Sequence, residues 1–366
     1  MTETYTCARC GESLHDDDTH YFDDEAVCLA CLDEDTILCD HCGDRIWRDD
    51  SRGDENLTVC EGCYEDHYTT CEGCSGVFGN DEVWCDDDSD DYLCEDCHNK
   101  RGRSINSYSY KPYPIFYGDG ERYFGVELEI DHGGENSNNA DILLEIANGT
   151  AERLYCKRDG SLHDGFELVT HPMTPEYHQS AMPWGKILSS AIDMGYTSHN
   201  AGTCGLHVHV NRSCLGESAE AQDAVIARIL YFVETHWVEL LRFSRRTQRQ
   251  MESWAARYGR HDNPKETLDT AKDSFARYRC VNLCNHDTIE FRMFRGTLKL
   301  NTLIATLQLV NEIVSAAISL SDAALDDLSW SDFAEQLQCE SVPELITYLK
   351  ERRLYVNEPV AVGEEI

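Results

Sequence analysis

Four short stretches of the chain place ionisable side chains on one face of an extended backbone: Gly125-Val126-Glu127-Leu128-Glu129-Ile130, Phe166-Glu167-Leu168-Val169, Leu206-His207-Val208-His209-Val210 and Ile289-Glu290-Phe291-Arg292-Met293. A strand alternates its side chains with a period of two, so Glu127 shares a face with Glu129, His207 with His209, and Glu290 with Arg292. The opposite face of each stretch is apolar. Ordinary half-exposed strands also alternate polar with apolar residues, but their wet positions usually mix Thr, Ser, Lys and Gln. Here they are acid-acid, acid, His-His and acid-Arg. Such a face is costly unless cations or phosphates neutralise it, so the pattern reads as a metal-nucleotide site laid on a sheet.

The elements that would position these residues follow from periodicity. From Arg122 onward the sequence predicts a strand over 122–131, a helix over 139–148, strands around 153–171, a helix over 175–194 and a strand over 205–211. Long helices over 217–258, paired strands over 278–295 turned by Asn285-His286-Asp287, and a helical tail complete the order. This succession fits an α+β domain with a mostly antiparallel sheet covered by helices on one face. Trp184, Trp237 and Trp254 read as core residues, and Arg245, Arg246, Arg257 and Arg279 as arginines of solvated helix faces.

Longer motifs around the four strands carry a family resemblance. They are Phe124-Gly125-Val126-Glu127-Leu128-Glu129, then Lys157-Arg158-Asp159-Gly160-Ser161 leading to Gly165-Phe166-Glu167-Leu168-Val169. Asn200-Ala201-Gly202-Thr203-Cys204-Gly205-Leu206-His207-Val208-His209 follows, and then Val281-Asn282 with Thr288-Ile289-Glu290-Phe291-Arg292-Met293-Phe294-Arg295-Gly296-Thr297-Leu298. Over residues 115 to 320 this series resembles the amidoligase family, within the carboxylate-amine ligase superfamily of glutamine synthetase and glutamate-cysteine ligase. The resemblance implies a glutamine synthetase-like fold and an ATP-dependent ligase that phosphorylates a carboxylate and lets an amine displace the phosphate.

The same resemblance implies two Mg²⁺ or Mn²⁺ ions held by acids and one His. Glu127 would serve one ion and Glu129 the other. Asp159 and Glu167 would complete the ion nearer the acceptor, with Asp159 a shorter arm than the Glu of the family pattern. His207 and Glu290 would complete the ion nearer the ATP phosphates, while His209, Arg292 and Arg295 would touch phosphate oxygens. Glu127, Glu129, His209 and Arg292 are then the catalytic candidates. No GxxxxGK[ST] stretch or dinucleotide glycine loop occurs, so the nucleotide would be held against the sheet, as in this superfamily. Two glycines in the loop 200–205 suit close approach of backbone to a ligand.

The first hundred residues carry a different chemistry. Cysteine pairs spaced by two residues occur at Cys7/Cys10, Cys28/Cys31, Cys39/Cys42, Cys60/Cys63, Cys71/Cys74 and Cys94/Cys97, and the pattern repeats every 32 residues. Within each repeat the pairs are separated by 17, 17 and 19 residues, close to the spacing of zinc ribbons and treble clefs. Three structural Zn²⁺ sites are expected. Pairing Cys28/Cys31 with Cys39/Cys42 and Cys60/Cys63 with Cys71/Cys74 is an alternative that would interlock the repeats. His41, His67 and His98 flank the knuckles, where complete four-cysteine sets leave them no vacancy. Disulfides would need an oxidising compartment. The segment 1–10 has no signal-like apolar core, and the apolar stretch 303–320 carries Gln308, Asn311 and Glu312, so a soluble cytoplasmic setting is expected, that of the host if the protein is viral. Cys85, Cys156, Cys204, Cys214, Cys280, Cys284 and Cys339 show no pairing and read as buried small hydrophobes.

Charge narrows the partners. The chain has 68 acids against 31 bases and a net charge of −37; residues 1–98 hold 30 of those acids and 4 arginines, a net of −26. Nucleic-acid binding depends on Lys and Arg neutralising phosphates, so a polyanion partner is excluded for this segment, and a basic protein or peptide is favoured. Acid runs such as 16–18 and 86–88 point to a halophilic host or a virus of one, or to an acidic phage or bacterial protein at ordinary salt. The expected organisation is a triple zinc-knuckle array over 1–98, a linker over 99–121 made basic by Lys100, Arg101, Arg103 and Lys111, a catalytic domain over 122–320 and a helical extension over 321–366. Three readings stay open: a ligase acting on a recruited peptide or protein, a small-molecule amino-acid ligase with a structural array, and a non-catalytic zinc scaffold.

Overall fold

The computed structural model describes residues 4–54, 56–85, 92–101, 104–274, 276–337 and 339–355. Residues 86–88, Arg103 and positions 356–366 of the expected C-terminal extension lie outside that set, as do the side chains of Lys100 and Arg101. The chain divides into two compact units, Met1–Gly102 and Arg103–Ile366.

The first unit repeats one plan three times: a short hairpin, a second short hairpin and a helix of two turns or less. In the first repeat Thr4–Thr6 pairs with Ser13–His15, His20–Phe22 pairs with Glu25–Val27, and Leu29–Glu34 is the helix. Thr36–Leu38 with Arg45–Trp47, Arg52–Gly53 with Thr58–Val59, and helix Glu61–His67 form the second. The third has Tyr68–Thr70 with Val77–Gly79, Val83–Cys85 with Tyr92–Cys94, and helix Glu95–Arg101. The residue after each leading Cys pair must turn back sharply. Gly11 and Gly43 do so at φ +77, whereas the third repeat places Ser75 there at φ +63, a region that side chains rarely adopt. Few apolar residues are buried, and one of them crosses repeats. Trp47, from the second repeat, packs into the first against Phe22 at 4.8 Å between ring centres, with the Arg9 guanidinium 4.0 Å above the indole.

The second unit is built on a seven-stranded sheet. Its strands are β1 (Ile105–Asn106), β2 (Phe124–Ile130), β3 (Leu154–Lys157), β4 (Phe166–Thr170), β5 (Gly205–Asn211), β6 (Val281–Asn282) and β7 (Thr288–Arg295), in the spatial order β1-β3-β4-β2-β5-β7-β6. Only the β1–β3 pair is parallel. The mostly antiparallel sheet with helices expected from the periodicity is therefore present. Part of the stretch expected as a linker joins the sheet, because Ile105 aligns with Cys156 and the Asn106 side chain donates to the Cys156 carbonyl at 3.0 Å.

Phe124, Val126, Leu128 and Ile130 of β2 and Leu206, Val208 and Val210 of β5 are fully buried in one core with the helices. Those helices include α1 (Ser137–Asn148), α2 (Pro175–Ser180), α3 (Trp184–Asp193), α4 (Ala219–Thr235), α5 (Trp237–Ser244), α6 (Gln248–Trp254), α7 (Pro264–Ser274), α8 (Leu300–Ser319) and, after two short helices, Pro343–Glu351. The single helix expected over 175–194 is two, because Pro183 can neither donate a hydrogen bond nor let the preceding turn continue. Among the described residues α8 is the one helix long and apolar enough to cross a membrane, and 67% of its most apolar window is buried inside the protein. It packs on α4 and on Pro343–Glu351, while its polar side presents Asn311 and Ser315 to Arg122.

Candidate functional site

The strand register brings the sequence-predicted residues to one sheet face. Glu127 lies opposite His207 across β2–β5, Glu129 opposite Glu167 across β2–β4, His209 opposite Glu290 across β5–β7, and Lys157 opposite Glu167 across β3–β4. Because the apolar partners of the alternation are locked into the core, the register cannot slip by one residue without turning the charges inward.

At the centre, Glu127 Oε2 stands 3.1 Å from His207 Nδ1, and Glu127 Oε1 stands 3.2 Å from His209 Nε2. Glu290 Oε1 lies 3.6 Å from His207 Nδ1 and 3.9 Å from His209 Nε2, and it pairs with Arg292. The other Glu290 oxygen accepts from Asn282 Nδ2 at 2.7 Å and Asn285 Nδ2 at 3.3 Å. Glu129 accepts the Gly205 N–H and stands 3.9 Å from His207 Nε2, while Glu167 pairs with Lys157 at 3.2 Å. Asp159, on the loop after β3, accepts the Ser161 N–H at 2.7 Å.

Burial and neighbours sort these groups into two sets. Burial alone would raise Glu127, but the His209 and His207 imidazoles hold it well below the usual carboxylate range, and His209 lowers Glu290 in the same way. His209 is correspondingly raised against its own burial by Glu127 and Glu290. Glu129 and Glu167 are raised chiefly by burial, Glu167 also by Glu127 and Glu129, with Asp159 near enough to raise both. Lys157 beside Glu167 and His207 and Arg246 beside Glu129 offset that burial only in part.

Divalent cations fit this donor set. One donor atom each from Glu127, His207 and Glu290 falls within 4.8 Å of the others. Oxygen ligands around Mg²⁺ at about 2.1 Å are roughly 3 to 4 Å apart, so only small adjustments separate this arrangement from coordination. His209 Nε2, although 3.2 Å from Glu127, is buried without an aligned hydrogen bond. Glu129 and Glu167, opposite each other across β2–β4 with Asp159 close enough to raise both, carry oxygen donors only.

Two cations beside these acids were not legible as site residues. Lys157 is one. Arg246, expected on a solvated helix face, is the other: it sits beside Glu129, is drawn down to about 10 by burial, and donates to the Phe294 carbonyl at 3.1 Å. A side chain on Gly205 would come 2.6 Å from His207 Nε2 and 2.8 Å from Arg246 Nη2 and would push these two groups aside. The available signal was the Thr247–Gln250 capping box that opens α6, which places Arg245 and Arg246 in a break between helices.

Arg295, expected to touch phosphate oxygens, stands at the end of the sheet face and not beside Glu127 and Glu290. Residues of β7 slip by one against β5 between Leu206 and Val208, so Arg295 aligns with Gly205 and lines a pocket with His199 and Arg245. Asp131, one alternation beyond Glu129, is a hub: its carboxylate accepts from the His132, His163 and Asp164 N–H groups and the Thr203 hydroxyl. These donors outweigh burial and hold it at about 2. With both oxygens fully engaged, it braces three loops at the end of the site.

In the first unit the sulfurs of Cys7, Cys10, Cys28 and Cys31, of Cys39, Cys42, Cys60 and Cys63, and of Cys71, Cys74, Cys94 and Cys97 each fall within 4.8 Å of one another. This grouping is the one within repeats, not the interlocked alternative. Sγ of Cys10 and Cys28 are 3.9 Å apart, as are those of Cys74 and Cys94; a tetrahedral Zn²⁺ with Zn–S of about 2.3 Å requires about 3.8 Å. Backbone N–H groups point at the sulfurs, from Cys28 to Cys7 at 3.4 Å, Cys60 to Cys39 at 3.3 Å and Cys94 to Cys71 at 3.2 Å. Knuckle N–H groups, that of Cys10 foremost, bring Cys7 down to about 6. The geometry suits thiolates around zinc. His41 and His67 stack on each other at 4.3 Å and take no place in the sulfur sets. Elsewhere Cys156, Cys204 and Cys280 are buried as expected, but Cys85, Cys284 and Cys339 are exposed. Trp184 and Trp237 are core residues, whereas Trp254 is 44% exposed and packs edge-on against Tyr278.

A sequence profile described as "Putative amidoligase enzyme" matches residues 145–314. The matched stretch contains Asp159, Glu167, His207, His209, Glu290, Arg292 and Arg295 and leaves out Glu127, Glu129 and the cysteine repeats. No curated protein matches the sequence. Among solved structures, the bifunctional glutathione synthetase from Pasteurella multocida is similar over 63% of this chain at 12% identity with a TM-score of 0.35, and the chain spans 46% of that protein's length.

Proposed function

We propose that the chain is an ATP-dependent carboxylate-amine ligase, acting through an acyl-phosphate on a peptide or protein recruited by the zinc array. One observation carries the reading: three buried glutamates, the half-buried Glu127 and two histidines converge on one sheet face, mostly within the stretch matched by the amidoligase profile. In this reading the fold is a variant of the glutamine synthetase-like sheet. Two Mg²⁺ or Mn²⁺ ions, one on Glu127, His207 and Glu290 and one on Glu129, Asp159 and Glu167, would bridge and neutralise phosphate oxygens. The substrate carboxylate attacks the γ-phosphorus of ATP and ADP leaves; the amine then attacks the acyl carbon, releasing phosphate and a proton. His209, raised toward its protonated form, and the Arg292 guanidinium donate to phosphate oxygens where charge builds. Three Zn²⁺ ions would hold the repeats, whose acidic surface suits a basic acceptor.

The test is ADP release from Mg-ATP with pooled amino acids, polyamines and peptides as acceptors. Glu127→Ala or Glu290→Ala should lower it by roughly two orders of magnitude or more. Folding stability should fall as well, because Glu127→Ala strips His207 and His209 of their carboxylate and Glu290→Ala leaves the buried Arg292 and Asn282 without theirs, so nucleotide turnover is compared on the folded fraction. Wild-type protein that binds no Mg-ATP and releases no ADP with any acceptor would favour the zinc scaffold instead.

A further inference from the structure

Beyond the acidic face, at the end of β5 and β7, a small open pocket is lined by His199, Arg245, Arg295, Thr297, Thr302 and Tyr348, among others. Its character is opposite to that of the rest of the chain. In a protein of net charge −37, Arg245 and Arg295 converge here, and among the described residues neither has a carboxylate partner. Arg295 Nη1 spends its hydrogen bond on the Arg245 carbonyl at 3.3 Å, which brings the two cations together instead of separating them. Arg245 is held at φ +61 where α5 ends. Thr302 Oγ1, in the pocket wall, is buried with no hydrogen-bond partner. Like charges held together beside an unsatisfied hydroxyl are costly unless an oxyanion completes them.

We infer that this pocket binds the oxyanion head group of a reactant, a carboxylate or a phosphate, between the Arg245 and Arg295 guanidinium groups. Its place fits that use. Arg295 aligns with Gly205, whose N–H is donated to Glu129, so the pocket adjoins the oxygen-only end of the acidic face. A reactant anchored there by its anionic end would extend toward the residues proposed to activate it. The inference rests on the ligase reading only for the identity of that reactant; binding itself is independent of turnover.

His199 supplies the readout. Burial first, then Arg245, Arg295 and Arg352, press its imidazole down to about 4, so an anion seated between the arginines must raise it. The full zinc-loaded chain, without ATP or amine, is titrated by NMR at fixed ionic strength with acetate, inorganic phosphate and neutral N-methylacetamide, following the His199 ring as assigned with His199→Gln. Acetate or phosphate should move the His199 titration to higher pH while the amide does not. Arg245→Gln and, independently, Arg295→Gln should each weaken that anion's binding about tenfold or more. A response to acetate alone assigns the pocket to the carboxylate of a substrate; a response to phosphate alone assigns it to the nucleotide. No response to either anion, or equal responses in wild type and both variants, would overturn the proposal. Loss of ADP release with anion binding intact would count against the ligase reading alone.

Discussion

The two units bury ionisable groups by opposite means. In the cysteine repeats almost nothing else is buried, and Leu14, Val27, Trp47, Val59 and Leu93 are the main apolar contribution beside the sulfurs. The second unit surrounds its carboxylates with a large core and sets Lys157, Arg246, Arg292 and His209 against them. A chain segment too short to bury much surface needs its ligands to fold, whereas the sheet holds its acids together whatever they bind. The first unit's chemistry is therefore its stability, and the second unit's is carried at stability's expense.

Zinc removal gives the largest contrast. A structural Zn²⁺ site supplies on the order of 10 kcal/mol, so chelation should unfold residues 1–98 while the second unit keeps its cooperative transition. Metal analysis should return about three Zn per chain, as tetrahedral four-cysteine sets require. Limited proteolysis before and after chelation separates the units; disulfides among these cysteines, or equal loss of both units, would break the comparison.

Acid should act on the second unit through its core. His178 is fully buried, its Nε2–H donates to the Phe124 carbonyl at 3.1 Å, and its Nδ1 has no partner. Burial lowers it to about 4 from an ordinary value near 6.5. The folded state thus refuses a proton that the unfolded chain accepts. Stability is whole above about pH 6.5 and falls as pH drops toward 4, by about 3 kcal/mol in total. Denaturant melts of wild type and His178→Gln across that window should show a flatter dependence in the variant; parallel curves would rule His178 out as a source.

The smallest expected effect lies between repeats of the first unit. Ser75 occupies the left-handed turn that Gly11 and Gly43 fill, so Ser75→Gly should stabilise the zinc-loaded array by about 1 kcal/mol. A matched denaturation series with Gly43→Ser, which should lose a similar amount, checks both signs.

The sequence exposed the strands and their chemistry because periods of two and of 32 are local properties of the chain. Glu127, His207 and Glu290 could be placed on one face before any strand order was known. What stayed hidden depends on how distant segments meet. Arg246 reaches the acids from a helix break, and nothing in its own sequence says which strand that break will touch. Arg295 changes faces through a one-residue slip in β7, which leaves no mark in the alternation. Lys157 was read as part of a motif, and only the β3–β4 register shows that it opposes Glu167. Trp254 looks like core by type, yet it lies at the end of a short helix where one ring edge finds Tyr278 and the rest meets water.

Trp47 has a consequence for the order in which the array can form during synthesis. The first repeat has all four of its cysteines once Cys31 is made, yet the apolar patch over Phe22 stays open until Trp47 emerges from the following repeat. The unit that folds is longer than the unit that repeats. A fragment ending between the two would bind metal with a wet, uncovered ring, and a duplication or deletion of one 32-residue period would have to supply a substitute for Trp47 before the growing chain could close.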